Sequence, residues 1–260
     1  FSKKKRIKLL KNFLNDGYII ANVESKKSIK TIKKIVEKYL KFKHPVKKKI
    51  NLNNFHNFQD ISALNNTRVK IINEINNNNK IRLEYFNLAR EHLYTLVGNE
   101  LMMQKKLNLS IQIPNDSSSL LPVHSDVWSG DSSFEINLWV PLVDCYRTKS
   151  MYILKQKNLN YFQKKMEERN IKSSSQIYNT IKNKVEWLNV KYGQFLIFNQ
   201  TLPHGNIINK EKETRWSLNC RFKSIFSPYG DKKIGEFFLP ITTRPMTNIG
   251  INYRYPFKDK

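Results

Sequence analysis

Cysteine is nearly absent from this 260-residue chain, and its two copies, Cys145 and Cys220, stand at no metal-ligand spacing. That excludes a disulfide framework and suits a reducing compartment. Long apolar runs are missing too: none approaches the roughly 20 residues a membrane-spanning helix needs. The basic start, Phe1 to Lys8 followed by Leu9 and Leu10, is broken by Lys11 and Asn12 and leads to no small-residue cleavage site. The expectation is a cytoplasmic protein, and a first residue other than Met fits a trimmed or partial chain. Negative charge is also short, with 21 Asp+Glu against 46 Lys+Arg, a formal net charge of +25. Such an excess favours an anionic partner, whether nucleic acid, anionic lipid or small molecule, over a cationic one. The lysines are spread along the chain and accompanied by abundant Asn and Ile, so compositional drift explains them better than a built patch.

What is present suffices for a globular fold. Hydrophobic residues make up 40% and aromatics 12%, enough for one large core over residues 1–260. Ile29, Ile32, Val36 and Leu40 recur at helical spacing, with Ser28 as a candidate cap. A second helix is expected over residues 81–97, with Phe86, Ala89, Leu93 and Leu96 or Val97 inward and Gly98 at its end. Between the two, the Asn-rich residues 43–79 read as loop with short elements. From Leu107 the pattern changes to short strands, at residues 107–114, 134–140, 151–154, 194–198 and 216–222. Residues 158–187 interrupt them as a partly helical insert on the rim. The expected architecture is mainly β with helical support: a jelly-roll core from residues 107–157 and 188–256, and a mainly helical part, residues 1–106, packed on one sheet.

Only five histidines occur. His44, His56 and His92 have no acidic or histidine neighbour at ligand spacing and read as structural or solvated. His124 differs, because it stands in His124-Ser125-Asp126, and residues two apart on an extended chain share a face. The tripeptide alone is weak, since a surface turn produces it by chance. A second motif strengthens it: a turn glycine, Gly193, an apolar run to Phe198, and then His204-Gly205. Two imidazoles and a carboxylate form the facial triad of non-haem iron(II) oxygenases, which leaves positions open for a co-substrate and O₂. A third motif, Arg215-Trp216-Ser217, places Arg215, Ser217, Asn219 and Arg221 on one side of a strand. An inward guanidinium calls for a carboxylate partner, and a hydroxyl beside it adds a donor.

His124-x-Asp126, His204 and Arg215-x-Ser217 together resemble the iron(II)/2-oxoglutarate oxygenases of the double-stranded β-helix, cupin-type fold. The likeness covers roughly residues 100 to 256. It is nearest the phytanoyl-CoA-hydroxylase-like side, and Ser110-Ile-Gln112, Trp139-Val-Pro141 and Thr243-Arg244-Pro245 resemble its sporadic carbohydrate-cluster, streptomycin-biosynthesis-like branch. The resemblance implies iron(II) held by His124, Asp126 and His204, and 2-oxoglutarate held by Arg215 and Ser217 with help from Gln112. O₂ is then a co-substrate, succinate a product, and a substrate C–H bond the point of attack. Asp126 disfavours halogenation, which needs a small residue there; desaturation and epimerisation stay open.

Trp128 is expected at the pocket mouth, and Glu135, Asn137 and Arg221 are candidate substrate contacts, each with a scaffold role as the competing reading. The expected substrate is a small carbohydrate or sugar-derived metabolite. Two alternatives are the same chemistry on a nucleic acid or protein, and an inactive basic binding module.

Overall fold

The computed structural model describes residues 2–43, 51–168, 171 and 173–256. His44 and the first part of the expected 43–79 loop lie outside the described residues. The chain opens with α1 (Lys3–Asp16), β1 (Tyr18–Asn22) and α2 (Lys26–Lys43). Ile29, Ile32, Val36 and Leu40 are all buried, as a 3.6-residue period requires of one helix face. The cap is not Ser28, whose backbone N–H instead donates to the Ser25 hydroxyl at 3.1 Å.

Two further expectations about the first half are corrected. The stretch read as loop contains α3 (Ile61–Asn77), which buries Leu64, Thr67, Ile71 and Ile75. Its asparagines are poor helix formers, but the stripe beneath them repeats every three to four residues, and packing decides. The single helix expected over residues 81–97 is two, α4 (Ile81–Phe86) and α5 (Arg90–Leu96). The break buries Leu88 and Ala89. The Glu24 carboxylate accepts from Glu91 N at 2.9 Å and His92 N at 3.2 Å, satisfying the new helix start.

The strands follow: β2 (Leu101–Gln104), β3 (Asn108–Gln112), β4 (Ile136–Pro141) and β5 (Tyr152–Leu154). After the helices α6 (Leu159–Glu168) and α7 (Ser174–Ile181) come β6 (Val185–Trp187), β7 (Gln194–Asn199), β8 (His204–Gly205), β9 (Arg215–Ser224) and β10 (Phe238–Thr242), and then α8 (Pro245–Asn252). All pairing between these strands is antiparallel. The larger sheet has seven strands in the order β1-β7-β4-β9-β2-β10, with β3 beside the first half of β9; the smaller is β6-β5-β8. The strands do not close into a barrel, and helix and sheet are mixed, so "mainly β" understates the helices. No helix among the described residues is long and apolar enough to cross a membrane.

Strand β9 organises the molecule by alternation. Trp216, Leu218, Cys220 and Phe222 are fully buried or nearly so and meet the helical layer. Trp216 packs edge-on against Phe55 at 4.9 Å, and Phe86 of α4 lies 6.4 Å from Phe222. Burying each such side chain contributes about 1.5–3 kcal/mol. Tyr85 pins α4 to this face by donating its hydroxyl to Leu138 O at 2.8 Å and Leu218 O at 3.1 Å. The opposite face of β9 carries Arg215, Ser217, Asn219 and Arg221, level with Gln112, Ser110 and Asn108 of β3 and with Asn137 and Trp139 of β4. On β9 and β3 one face is core and the other is polar, and β4 and β7 add Trp139 and Phe198 to the polar side. The site is on the polar face.

Candidate active site

His124 and His204 meet through their backbones. His124 N donates to His204 O at 2.9 Å and His204 N to His124 O at 2.8 Å, an isolated antiparallel bridge between two distant segments. Asp126 follows at the start of a single 3-10 turn, so the His-x-Asp pair sits at a strand end rather than along a strand as expected. One nitrogen from each imidazole and one Asp126 oxygen lie within 4.8 Å of one another. Gly205 permits this close approach, since a Cβ there would stand 2.7 Å from the Tyr152 hydroxyl and 2.9 Å from Leu121 O.

The donor set fits a divalent metal. His124 Nδ1 donates to Pro122 O and His204 Nδ1 to Leu202 O, both at 2.8 Å. Those bonds fix the tautomer in which Nε2 is the free lone pair, the arrangement a metal-ligating imidazole uses. Burial pushes His204 down to about 4, so it is neutral at ordinary pH, as a ligand must be. Burial raises the Asp126 carboxyl, but His204, Arg221 and His124 outweigh it and hold the group below its usual range. Arg221 Nη2 donates to Asp126 Oδ1 at 3.2 Å, whereas Asp126 Oδ2 is buried and has no hydrogen-bond partner. A buried carboxylate oxygen left unsatisfied is costly unless a cation meets it.

Arg215 lies in the wall of the same cavity, 2% exposed. Its Nη1 donates to Ser150 O at 3.1 Å and its Nη2 to the Ser110 hydroxyl at 2.9 Å. Among the described residues no carboxylate comes within salt-bridge distance of it, and burial pushes its guanidinium pKa down. Arg215 Nε and the Ser217 and Ser150 hydroxyl oxygens are buried without partners. Arg215 thus carries a cation and a spare N–H, with unpartnered hydroxyls on Ser217, two residues along β9, and on Ser150, whose carbonyl it holds; an oxyanion is the kind of group that would satisfy such donors.

The cavity that joins these groups measures about 470 Å³, within the range of small-molecule sites. Asn137, Arg221, Trp139 and Asn219 line it together with the triad. Asn137 Oδ1 is buried there without a partner. Two expected contacts, Glu135 and Trp128, lie outside the cavity lining, and a third, Gln112, is held at its amide nitrogen. Glu135 precedes β4 and is turned away from the cavity; it accepts from Ser132 N and from Gln200 Nε2, both at 3.3 Å. Trp128 stacks on Phe162 of α6 at 6.0 Å, outside the cavity lining. Gln112 shares the polar face but donates to Ile207 O at 2.7 Å, bracing the strand. Five polar lining residues were not among the candidates from the sequence: Arg68, Asn108, Ser118, Ser119 and Asn206. Asn108 was accessible in principle, because period two puts it beside Ser110. Arg68 was hidden inside α3, whose helical character was masked.

No protein-family model matches the chain, and no curated protein matches it in sequence. Solved structures do match. AviO1 from Streptomyces viridochromogenes Tue57 superposes with a TM-score of 0.54 at 15% identity, covering 86% of this chain and 97% of its own. EctD from S. alaskensis with 2-oxoglutarate and 5-hydroxyectoine gives 0.54 at 14% identity, over 88% of this chain and 78% of EctD. The nickel complex of the non-heme monooxygenase ThoJ gives 0.51 at 14%, over 91% of this chain and 84% of ThoJ. The chain has the fold of the non-haem oxygenases. Within that fold, the bridge between His124 and His204 and the inward row of β9 are what assemble the cavity.

Proposed function

We propose that the chain is a mononuclear non-haem iron(II) oxygenase that consumes 2-oxoglutarate and O₂ and oxidises a small, hydroxyl-rich metabolite of carbohydrate type. The observation that carries this reading is Arg215: a buried guanidinium without an acid, in the same cavity as two imidazoles and a half-satisfied carboxylate. Iron(II) would be held by His124, Asp126 and His204, and the distal carboxylate of 2-oxoglutarate by Arg215 and Ser217. When bound, iron and 2-oxoglutarate supply the oxidising chemistry, with succinate as co-product. The protein's own residues position and shield. Pro122 O and Leu202 O orient the imidazoles, and Arg221 steadies Asp126. Phe198 and Trp139 contribute apolar wall.

EctD, solved with 2-oxoglutarate, supports the co-substrate assignment, and the two-sheet arrangement is read as an irregular double-stranded β-helix acting, with its helical layer, as one oxygenase unit. Asn108, Asn137, Asn219 and Ser119 in the lining support the substrate class, because the unpartnered Asn137 carbonyl oxygen and Ser119 hydroxyl call for hydroxyl partners. The two free, buried cysteines agree with a reducing, cytoplasmic setting. The test is succinate formation from 2-oxoglutarate by the iron-loaded protein in air, with neutral and phosphorylated sugars screened for stimulation. Turnover that requires iron and disappears in Asp126→Ala supports the proposal; turnover equal in wild type and Asp126→Ala contradicts it.

A further inference from the structure

The charge in the cavity wall does not balance, and one of its arginines has no acid beside it. Three guanidinium groups line it, Arg68, Arg215 and Arg221, against a single carboxylate, Asp126. Arg221 is compensated: its Nη2 reaches Asp126 Oδ1 at 3.2 Å and Asp131 Oδ2 at 3.3 Å. Arg215 has its buried cluster of spare donors for the co-substrate carboxylate. Arg68 has neither. It projects from α3, partly buried, and its Nη2 donates to the neutral Asn65 Oδ1 at 2.5 Å, one turn back on the same helix. No carboxylate among the described residues pairs with it. Beside it on the wall stand Asn108, whose Nδ2 donates to Asn219 Oδ1 at 2.8 Å, and Ser118 and Ser119. Arg221 shares Asp131 with Lys232, which is not in the cavity lining. Of the three cavity arginines, Arg68 is the one with neither an acid beside it nor a buried cluster of spare donors, and it is free to meet a substrate.

We infer that Arg68 forms an anion subsite at the cavity wall, and that the substrate carries an oxyanion, a phosphate or a carboxylate, on a part of the molecule away from the oxidised carbon. This rests on the proposed oxygenase reading for its biological meaning but not for its test. A cation in a partly enclosed, amide-lined wall holds an anion more strongly than a surface lysine does, because less water screens it. The dimensions of the cavity admit a small metabolite, so the occupant is a phosphorylated or acidic polyhydroxyl compound.

The test follows the arginine side-chain Nε–H signals by NMR while inorganic phosphate, and separately propionate, is titrated into the full-length protein at 0.1 M salt, roughly one Debye length of 10 Å. The Arg68 signal is assigned by its absence from Arg68→Gln, and the Arg6 and Arg244 signals, from a different surface groove, serve as references. The expected result is a saturable shift of the Arg68 signal with a midpoint at least about tenfold below those of Arg6 and Arg244. Whichever anion gives the lower midpoint names the group. A shift that tracks Arg6 and Arg244 for both anions overturns the subsite. Wild-type succinate formation is read separately: if it is absent while Arg68 binds phosphate selectively, the oxygenase reading fails and the subsite stands.

Discussion

Arg215 is the residue on which sequence and structure argue the same way from different ends. Alternation along 215–221 puts Arg215 and Ser217 on one side of a strand, the two histidine motifs make that side the inward one, and burial without an acid gives the reason for a bound carboxylate. Arg215→Met should raise the apparent KM for 2-oxoglutarate at least about 30-fold, since stranding one member of a buried charged pair costs about 2–5 kcal/mol. In the absence of 2-oxoglutarate the variant should melt no lower than wild type, because it removes a buried unpaired charge. Thermal melts with and without 2-oxoglutarate check this: only wild type should gain stability. Glu135 makes the opposite lesson. Alternation groups it with Asn137 and Trp139, and the polarity of that set makes it a candidate contact, but β4 begins one residue later at Ile136, and Glu135 turns into a buried polar knot instead. Burial, and then the neighbouring Asp131, push it up to about 7. A carboxyl raised in the folded state stabilises fully below its ordinary range and loses that contribution as pH rises through about 7. Glu135→Gln should therefore gain on wild type by up to about 3 kcal/mol at pH 8 and show no gain near pH 4.5, measured by denaturant melts at both values.

At the scale of elements, legibility followed period and length. The five strands read from the sequence correspond to β3, β4, β5, β7 and β9 because each keeps several alternating or apolar residues in a row. β6 and β8, at three and two residues, are too short to carry a period, and β1 lies between two helices. Helix α3 was lost to its asparagines, and the break between α4 and α5 is made by Glu24, a residue distant in sequence that no local pattern reveals. The insert read over residues 158–187 supplies α6, α7 and β6, and Phe162 of α6 covers one face of Trp128 just past the triad. Phe162→Ala should cost about 3 kcal/mol and expose that indole. The measurement is the fluorescence difference against Trp128→Phe: a red-shifted Trp128 component is expected in the variant, and an unchanged one would mean that the stack does not form in solution.

For the whole molecule, the charge of +25 was the loudest feature of the sequence and the least informative. It is spread over the chain, whereas the cavity is governed by three arginines and one aspartate. The reading depends instead on a backbone bridge that brings residue 204 to residue 124, which no composition reveals. The deciding measurement is metal analysis coupled to succinate assay, on protein equilibrated with iron(II) without oxygen and then exposed to air with 2-oxoglutarate. Wild type should bind one iron per chain and form succinate only with iron, and both should fall by about 100-fold or more in His204→Ala, since even partners outside the ligand shell change affinity about 10–100-fold. Wild-type protein that binds no iron, or His204→Ala protein that binds iron and forms succinate as wild type does, would contradict the oxygenase reading.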